Sequence, residues 1–297
     1  MLRRGNPNDP QPSITANPLV ASVLRENVRV EDGKATIGLW EEWPALLTEV
    51  PAFGNVLAIS RNSYAVLGTI SRYPDLDLVP CGQFGCAADG SLDFDFSSWR
   101  RAVAIVESRG RGWLYSVEFS DLDGEVIHKI CLTDQSDFET FRAWIEVNQI
   151  IPTVPSCRGS ARYSSWLENS PLLDASGAEP LRIEAVRVFV QMATAEGWSF
   201  RAIVGNSGTV QIAQINPTTF RRSGQWIFAG DDISGIHLRV QKSAEVFLHN
   251  VRGCLTLKAC DAAGRLVCAI APPHDPDLED WNAKHRKLSG EFSTDRR

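Results

Sequence analysis

Residues 61–66 read RNSYAV and residues 205–210, which lie 144 positions further on, read GNSGTV. Each closes an apolar run, VLAIS (56–60) before the first and FRAIV (200–204) before the second. Each then opens a second run, AVLGTIS or TVQIAQI, in which apolar residues alternate with small or polar ones. Period-two alternation on both sides of an Asn–Ser turn signal reads as two antiparallel strands. The chain writes this unit twice.

The repetition extends outward. Residues 114–141 lie over residues 254–281 without a gap: Asp121 meets Asp261, Gly124 meets Gly264, Ile130 meets Ile270, Asp137 meets Asp277 and Glu139 meets Glu279. Five identities in 28 positions are few, but the elements also agree in kind. Both stretches run strand, D-x-x-G turn, strand, acidic helix start and apolar helix stripe, with an Asp–Gly step in DLDG as a hairpin cue. A duplicated unit of roughly 120 residues is far too long for a solenoid of short repeats. Many strands, hairpin turns and helices grouped at the ends of each unit predict an α+β fold. It has two tandem pseudo-symmetric halves, each a large antiparallel β-sheet with flanking helices.

Helices are expected where caps and periodicity coincide. Asn17–Pro18 starts a short helix through LVASVLREN, and LWEEWPALLTEV forms another, broken or kinked at Pro44. Ser136 and Glu139 form a capping box ahead of Phe138, Phe141 and Ile145, and LRIEAVRVFVQMATAEG is a helix stopped by Gly197. DPDLEDWNAKHRKL makes the last one. The organisation read this way is a tail (1–17), a first repeat (18–150), a connector rich in Pro, Ser and Gly (151–179), a second repeat (180–290) and a tail (291–297).

Of the 297 residues, 43% are apolar and 22% charged, with a net charge of −6, so no nucleic-acid partner is suggested. No apolar run approaches the ~20 residues of a membrane span, and MLRRGNPNDPQPS lacks the apolar segment of a signal peptide, so the expected location is cytoplasmic. The seven cysteines (81, 86, 131, 157, 254, 260, 268) are odd in number and mostly strand-embedded, which predicts reduced thiols without a structural disulfide. Cys81 and Cys86 flank GQFG with no second pair, a poor zinc pattern. GNSG is not a nucleophile elbow, and no glycine-rich phosphate loop is present. His128 lies mid-strand and reads as structural. His249, His274 and His285 are dispersed and read as surface residues.

The runs RNSYAV, LDFDFSSWRRAVAIVE and EFSDLDGEVIHKICLT resemble the first half of the haemin-degrading and haem-trafficking HemS/ChuX family. RAIVGNSGTVQI, RRSGQW and GIHLRV resemble its second half. The resemblance implies a haem-binding protein of haem utilisation, with haem in a cleft between the halves. Such a protein either carries haem, with a haem oxygenase or haem importer as partner, or opens the ring itself in an oxygenase-like reaction that releases iron. Arg221, Arg222 and Arg239 match basic positions near haem in the family, where a guanidinium fork suits a propionate. Trp226 and His237 lie in matched stretches that line the cleft.

Three departures stand out. Residues 150–200 contain no histidine, although the family's axial histidine lies there. Tyr64 stands where relatives usually carry His. Asp93 and Asp95 stand in a strand where relatives carry Arg. The axial candidates are then Cys157, Tyr163 and His237, each chemically able to ligate haem iron. The competing reading is a relative that kept the scaffold and became an interaction or small-ligand module.

Overall fold

The computed structural model describes residues 14, 17–23, 28–79, 83–109, 112–150, 178–239, 245–261, 264–273 and 277–294. Two antiparallel sheets dominate it. In the first half, β1 (Val28–Glu31), β2 (Lys34–Leu39), β3 (Gly54–Arg61), β4 (Ala65–Arg72), β8 (Trp99–Arg109), β9 (Gly112–Asp121) and β10 (Val126–Ser136) lie in the order β1-β2-β8-β9-β10-β3-β4. In the second, β11 (Glu179–Leu181), β12 (Phe200–Gly205), β13 (Thr209–Ile215), β17 (Glu245–Val251), β18 (Cys254–Cys260) and β19 (Leu266–Ala271) lie in the order β11-β17-β18-β19-β12-β13. Without β1 the two orders are the same, element for element.

Neither sheet stops there. The three short strands of the first half, β5 (Leu76–Leu78), β6 (Phe84–Ala87) and β7 (Leu92–Asp95), continue the second half's sheet through the β13–β7 pairing. Those of the second half, β14 (Thr219–Ser223), β15 (Trp226–Gly230) and β16 (Ser234–Arg239), continue the first half's sheet through β16–β4. Each half therefore lends a three-strand wing to the other's sheet. The registers are reciprocal: His237 pairs with Val66, and Asp93 pairs with Val210, the residue 144 positions after Val66.

Each wing nevertheless buries its inner face in its own half. Leu92, Phe94 and Phe96 pack with Trp99 and Phe119 in the first-half core, while Ile227, Ala229, Ile236 and Leu238 join Phe189, Phe200 and Trp281 in the second. Burying both sides of the exchange adds ~25 cal/mol for each Å² of apolar surface removed from water. That ties the halves together without a continuous interface helix.

Five α-helices are described: α1 (Pro18–Ser22), α2 (Trp43–Glu49), α3 (Phe138–Asn148), α4 (Glu184–Glu196) and α5 (Leu278–Phe292). Asn17 caps α1 as expected, its Oδ1 accepting from the amides of Leu19 and Val20. Asn17 is fully buried and donates to the Tyr115 hydroxyl, so it belongs to the core rather than to a tail. Pro44 does not kink a helix. It sits in the first turn of α2, where its missing N–H has no partner to lose.

The cap of α3 also differs from expectation. Asp137, not Ser136, accepts the Thr140 amide, and Ser136 instead bonds the Thr133 amide and the Asn55 carbonyl. The repeat had already paired Asp137 with Asp277, which caps α5 in the same way. Gly197 ends α4 in the left-handed conformation at φ 71°. Among the described residues no helix is long and apolar enough to cross a membrane.

Candidate functional site

The Asn–Ser turns lie where the two halves meet, and their asparagines explain why the chain repeats them. Asn62 Oδ1 accepts from the amides of Tyr64 and Ala65, fixing its own turn. Its Nδ2 crosses to donate to the carbonyls of Gly205 and Val267 in the other half. Asn206 does the converse, accepting from Gly208 and Thr209 and donating to Arg61 and Ile127. Two side chains thus satisfy eight backbone groups, and each holds its own hairpin against the partner half. Beside them Trp99 Nε1 donates to the Gly208 carbonyl at 2.9 Å, and a Cβ at residue 208 would stand 2.6 Å from that nitrogen. Only glycine fits there.

This pinning sets the wings. On the outer face of the first-half sheet, alternation places Leu57 and Ile59 (β3), Val66, Gly68 and Ile70 (β4), Gly235 and His237 (β16) and Trp226 and Phe228 (β15) on one side. Arg221 and Ser223 of β14 continue that side, since Arg221 pairs with Phe228 and Ser223 with Trp226. Two adjoining grooves open along it and share Phe228 and His237. One, of about 240 Å³, has the floor Leu57, Ile59, Val66 and Ile70; the other, of about 330 Å³, is lined by Arg221, Ser223, Trp226, Phe228 and His237. The pair crosses the β4–β16 seam, where strands of the two halves meet in one sheet.

The local chemistry is specific. The His237 and Phe228 rings lie 4.7 Å apart, and Gly235 makes room for the phenyl group, since a Cβ there would come 2.5 Å from its Cε2. Desolvation lowers the His237 pKa, which favours the neutral imidazole. Neither of its ring nitrogens is hydrogen-bonded to a described residue, and Arg221 makes no ion pair with one. At the open end Ile233 is 62% exposed, and Asp231 Oδ1 is taken up by the amides of Ile233 and Ser234.

The residues expected to act are therefore divided. Arg221, Trp226 and His237 are brought together. Arg239 pairs with Trp226 on the same face and donates to Gln225 Oε1 at 3.3 Å. Arg222 pairs with Ile227 and belongs to the opposite face of β14. Cys157 and Tyr163 lie outside the described residues. Phe228 and the floor were missed, although a signal was present: in NVLAI and YAVLGTI the outward positions are apolar as well as the inward ones, the mark of a strand covered on both faces.

The other histidines correct one reading and support another. His128 is fully buried between the Ser60 hydroxyl (3.0 Å from Nδ1) and the Tyr73 hydroxyl (3.1 Å from Nε2), and burial pushes its pKa down to about 3. That is the structural role expected of it. His249 and His285, read as surface residues, are buried. His249 lies 2.6 Å from Lys258 Nζ. His285 stacks against Trp281 and Phe189, with its pKa driven down to about 4, chiefly by desolvation. His274 lies outside the described residues. The five described cysteines are free thiols, and burial raises Cys131 to about 11 and Cys268 to about 12, which leaves both unreactive.

With this geometry in hand, the comparisons with known proteins are decisive for the first half. Residues 25–147 match the haemin-degrading HemS.ChuX domain. That stretch is HemS/ChuX-like. Two curated members resemble the chain in sequence. The hemin transport protein HmuS of Yersinia pestis is 29% identical over 144 residues, covering 48% of this chain and 38% of HmuS. The hemin transport protein HemS of Yersinia enterocolitica is 32% identical over 102 residues, covering 33% of this chain and 29% of HemS. The matches thus span less than two fifths of those relatives.

Solved structures extend the likeness in fold to both halves. The haem-bound form of PhuS, a haem-binding protein from Pseudomonas aeruginosa, matches with a TM-score of 0.69 at 19% identity, covering 87% of each chain. ChuS, a haem oxygenase of Escherichia coli, matches with a TM-score of 0.69 at 17% identity, over 85% of this chain and 88% of that one. The two-halved α+β architecture is therefore a known arrangement.

Proposed function

We propose that this protein binds haem as cargo or substrate in haem utilisation, in the paired groove on the β3-β4-β16-β15-β14 face. The observation that carries the reading is the convergence of an apolar floor, an aromatic pair, and an imidazole and a guanidinium that bond no described residue, across the seam between the halves. Those groups suit haem. The macrocycle is flat and apolar and would lie on Leu57, Ile59, Val66 and Phe228, where burial is favourable at ~25 cal/mol per Å². Its propionates call for a cation, and Arg221 offers a planar fork without having to leave another acid. His237 can supply a nitrogen to iron without first losing a proton.

Haem would bring the redox chemistry. The protein's share is to hold the ring on one face, to offer the imidazole and to keep the propionate end towards Arg221. The named relatives favour this reading, since HmuS and HemS are hemin transport proteins, PhuS is a haem-binding protein and ChuS a haem oxygenase. A haem oxygenase or a haem importer is the corresponding partner, and the cytoplasm the corresponding place.

Titration of the purified protein with haemin is the direct test. A Soret shift that saturates at one equivalent supports the proposal, and His237→Ala should change the band position. A saturating spectrum untouched by that replacement assigns the iron to another ligand, with Tyr163 and Cys157 next in line. No shift at micromolar haemin defeats the proposal and leaves the scaffold as an interaction or small-ligand module. Adding ascorbate in air to a complex that forms then separates carriage, in which the Soret band persists, from ring opening, in which it decays.

A further inference from the structure

The wing of the first half forms a groove of its own. It is lined by Val79, Phe84, Cys86, Asp93, Asp95 and Val210 and has a volume of about 310 Å³. The reciprocal register makes it the counterpart of the groove above. Asp93 pairs with Val210 where His237 pairs with Val66, and the Asp95 amide donates to the Gly208 carbonyl where the Arg239 amide donates to that of Tyr64. Two acids thus stand where the other wing carries an imidazole and a guanidinium.

Neither acid has a counter-charge among the described residues. Asp95 is only 6% exposed; its Oδ1 takes the amide and hydroxyl of Ser97, and its Oδ2 accepts from no described residue. Asp93 is half-buried and forms no hydrogen bond or ion pair with a described residue; burial raises its pKa. A carboxylate withdrawn from water without a cation costs free energy that a bound cation would return. Phe84, Val79 and Val210 supply apolar wall around that negative end. Pockets of this type, mostly apolar with a few convergent polar groups, are the usual form of small-molecule sites.

We infer that the Phe84–Asp93–Asp95 groove is a second ligand site, selective for small organic cations that join an ammonium or amidinium group to a flat apolar body. Asp93 and Asp95 receive the cationic head, and Phe84 and Val210 cover the body. Haemin, whose propionates are anionic, is refused by the same two carboxylates. The two wings of one scaffold therefore sort ligands by charge.

The exposed Cys86 thiol in the wall provides the readout. The full-length protein is treated with a maleimide in the presence of 1-naphthylmethylammonium, and labelling at Cys86 is followed by peptide mass mapping. Neutral 1-naphthylmethanol and anionic 1-naphthoate serve as matched controls. The expected result is that the ammonium slows labelling of Cys86 at least fivefold, with little protection from the neutral or anionic probe. Asp93→Asn should remove that protection while leaving the melting temperature and the haemin titration unchanged. Asp95→Asn should do the same but is the riskier variant, since Asp95 also orders Ser97, and Asp93 alone therefore decides. Equal protection by naphthylmethanol, no protection by the ammonium, or protection that survives Asp93→Asn would each overturn the inference.

Discussion

The two halves share one scaffold and differ in what they place on it. Strand order, wing exchange and the Asn62/Asn206 pins are reciprocal. The side chains are not. His237 and Arg239 on one wing correspond to Asp93 and Asp95 on the other by the 144-residue offset, and His128 in β10 corresponds to Cys268 in β19 by the 140-residue offset. His285 in α5 corresponds to Ile145 in α3 by the same offset. Backbone bonding is what a duplicated fold must keep, because a buried N–H or C=O without a partner is costly whatever the side chains do. Groove-facing residues carry no such obligation and can diverge in charge.

The largest expected effect comes from His128 and His285, one in each half and neither matched by a histidine in the other. Folded pKa values of about 3 for His128 and about 4 for His285 lie below the ~6.5 of an unfolded histidine, so the folded state holds the neutral form. Their stabilisation is complete above about pH 6.5. It declines as pH falls towards 4 and, for His128, on towards 3. At ~1.4 kcal/mol per pKa unit the two together amount to roughly 6 kcal/mol by pH 4. Melting temperature followed from pH 7.5 to 4 should fall steeply, and His285→Phe, which keeps an aromatic ring between Phe189 and Trp281, should flatten the slope. An unchanged slope in that variant would mean that His285 does not titrate on unfolding.

The pins test the symmetry itself. Asn62→Ala and Asn206→Ala each leave four backbone groups in search of water, at a cost of roughly 2–4 kcal/mol. Chemical denaturation should show the two losses equal within about 1 kcal/mol. A large loss from one and a negligible loss from the other would show that the halves are alike in topology only. Next in size is the charge of the grooves. Arg221→Glu combined with His237→Asp makes the second wing acidic like the first, and should weaken haemin binding roughly a hundredfold, or ~2.7 kcal/mol. Binding kept within threefold would remove the groove as the haem site.

Much of this was legible in the sequence, and the divisions are physical. The strand pairs, the DLDG hairpin and the helix stop at Gly197 are local, set by alternation and by backbone geometry at a few positions. The duplicated Asn–Ser turns signalled a tandem fold for the right reason, since the same bonds recur in each half. Exchange of the wings could not be read there. Strands such as Leu92–Asp95 and Ser234–Arg239 are too short for their patterns to name a partner more than a hundred residues away. Spacing marks Ser136 as a cap because a capping box is recognised by the Ser-to-Glu interval, whereas the carboxylate of the neighbouring Asp137 accepts the Thr140 amide. His285 reads as a surface residue because its neighbours in AKHRK are charged, and His249 because a lone histidine at the end of an apolar run carries no sign of burial. In the site, Arg221, Trp226 and His237 were legible through resemblance, whereas Phe228 had to be found by register.

Register also makes the finest test. Arg221 and Arg222 are adjacent, both exposed and chemically identical, and resemblance alone assigns both to a propionate. In a strand successive side chains leave opposite faces. Arg221 pairs with Phe228 on the groove side, and Arg222 pairs with Ile227 on the core side at the sheet's edge. Losing one charge-assisted contact costs ~1.5–3 kcal/mol, so Arg221→Ala should weaken haemin binding tenfold or more. Arg222→Ala should change it less than twofold, a difference that long-range Coulomb attraction at physiological salt cannot erase, because the effect is screened within ~8 Å. Arg239→Ala should fall between, since Arg239 shares the groove face but is engaged with Gln225. Equal losses at 221 and 222 would mean that the edge strand twists to present both guanidinium groups, and the propionate end would then lie on the rim of β14 rather than over Phe228.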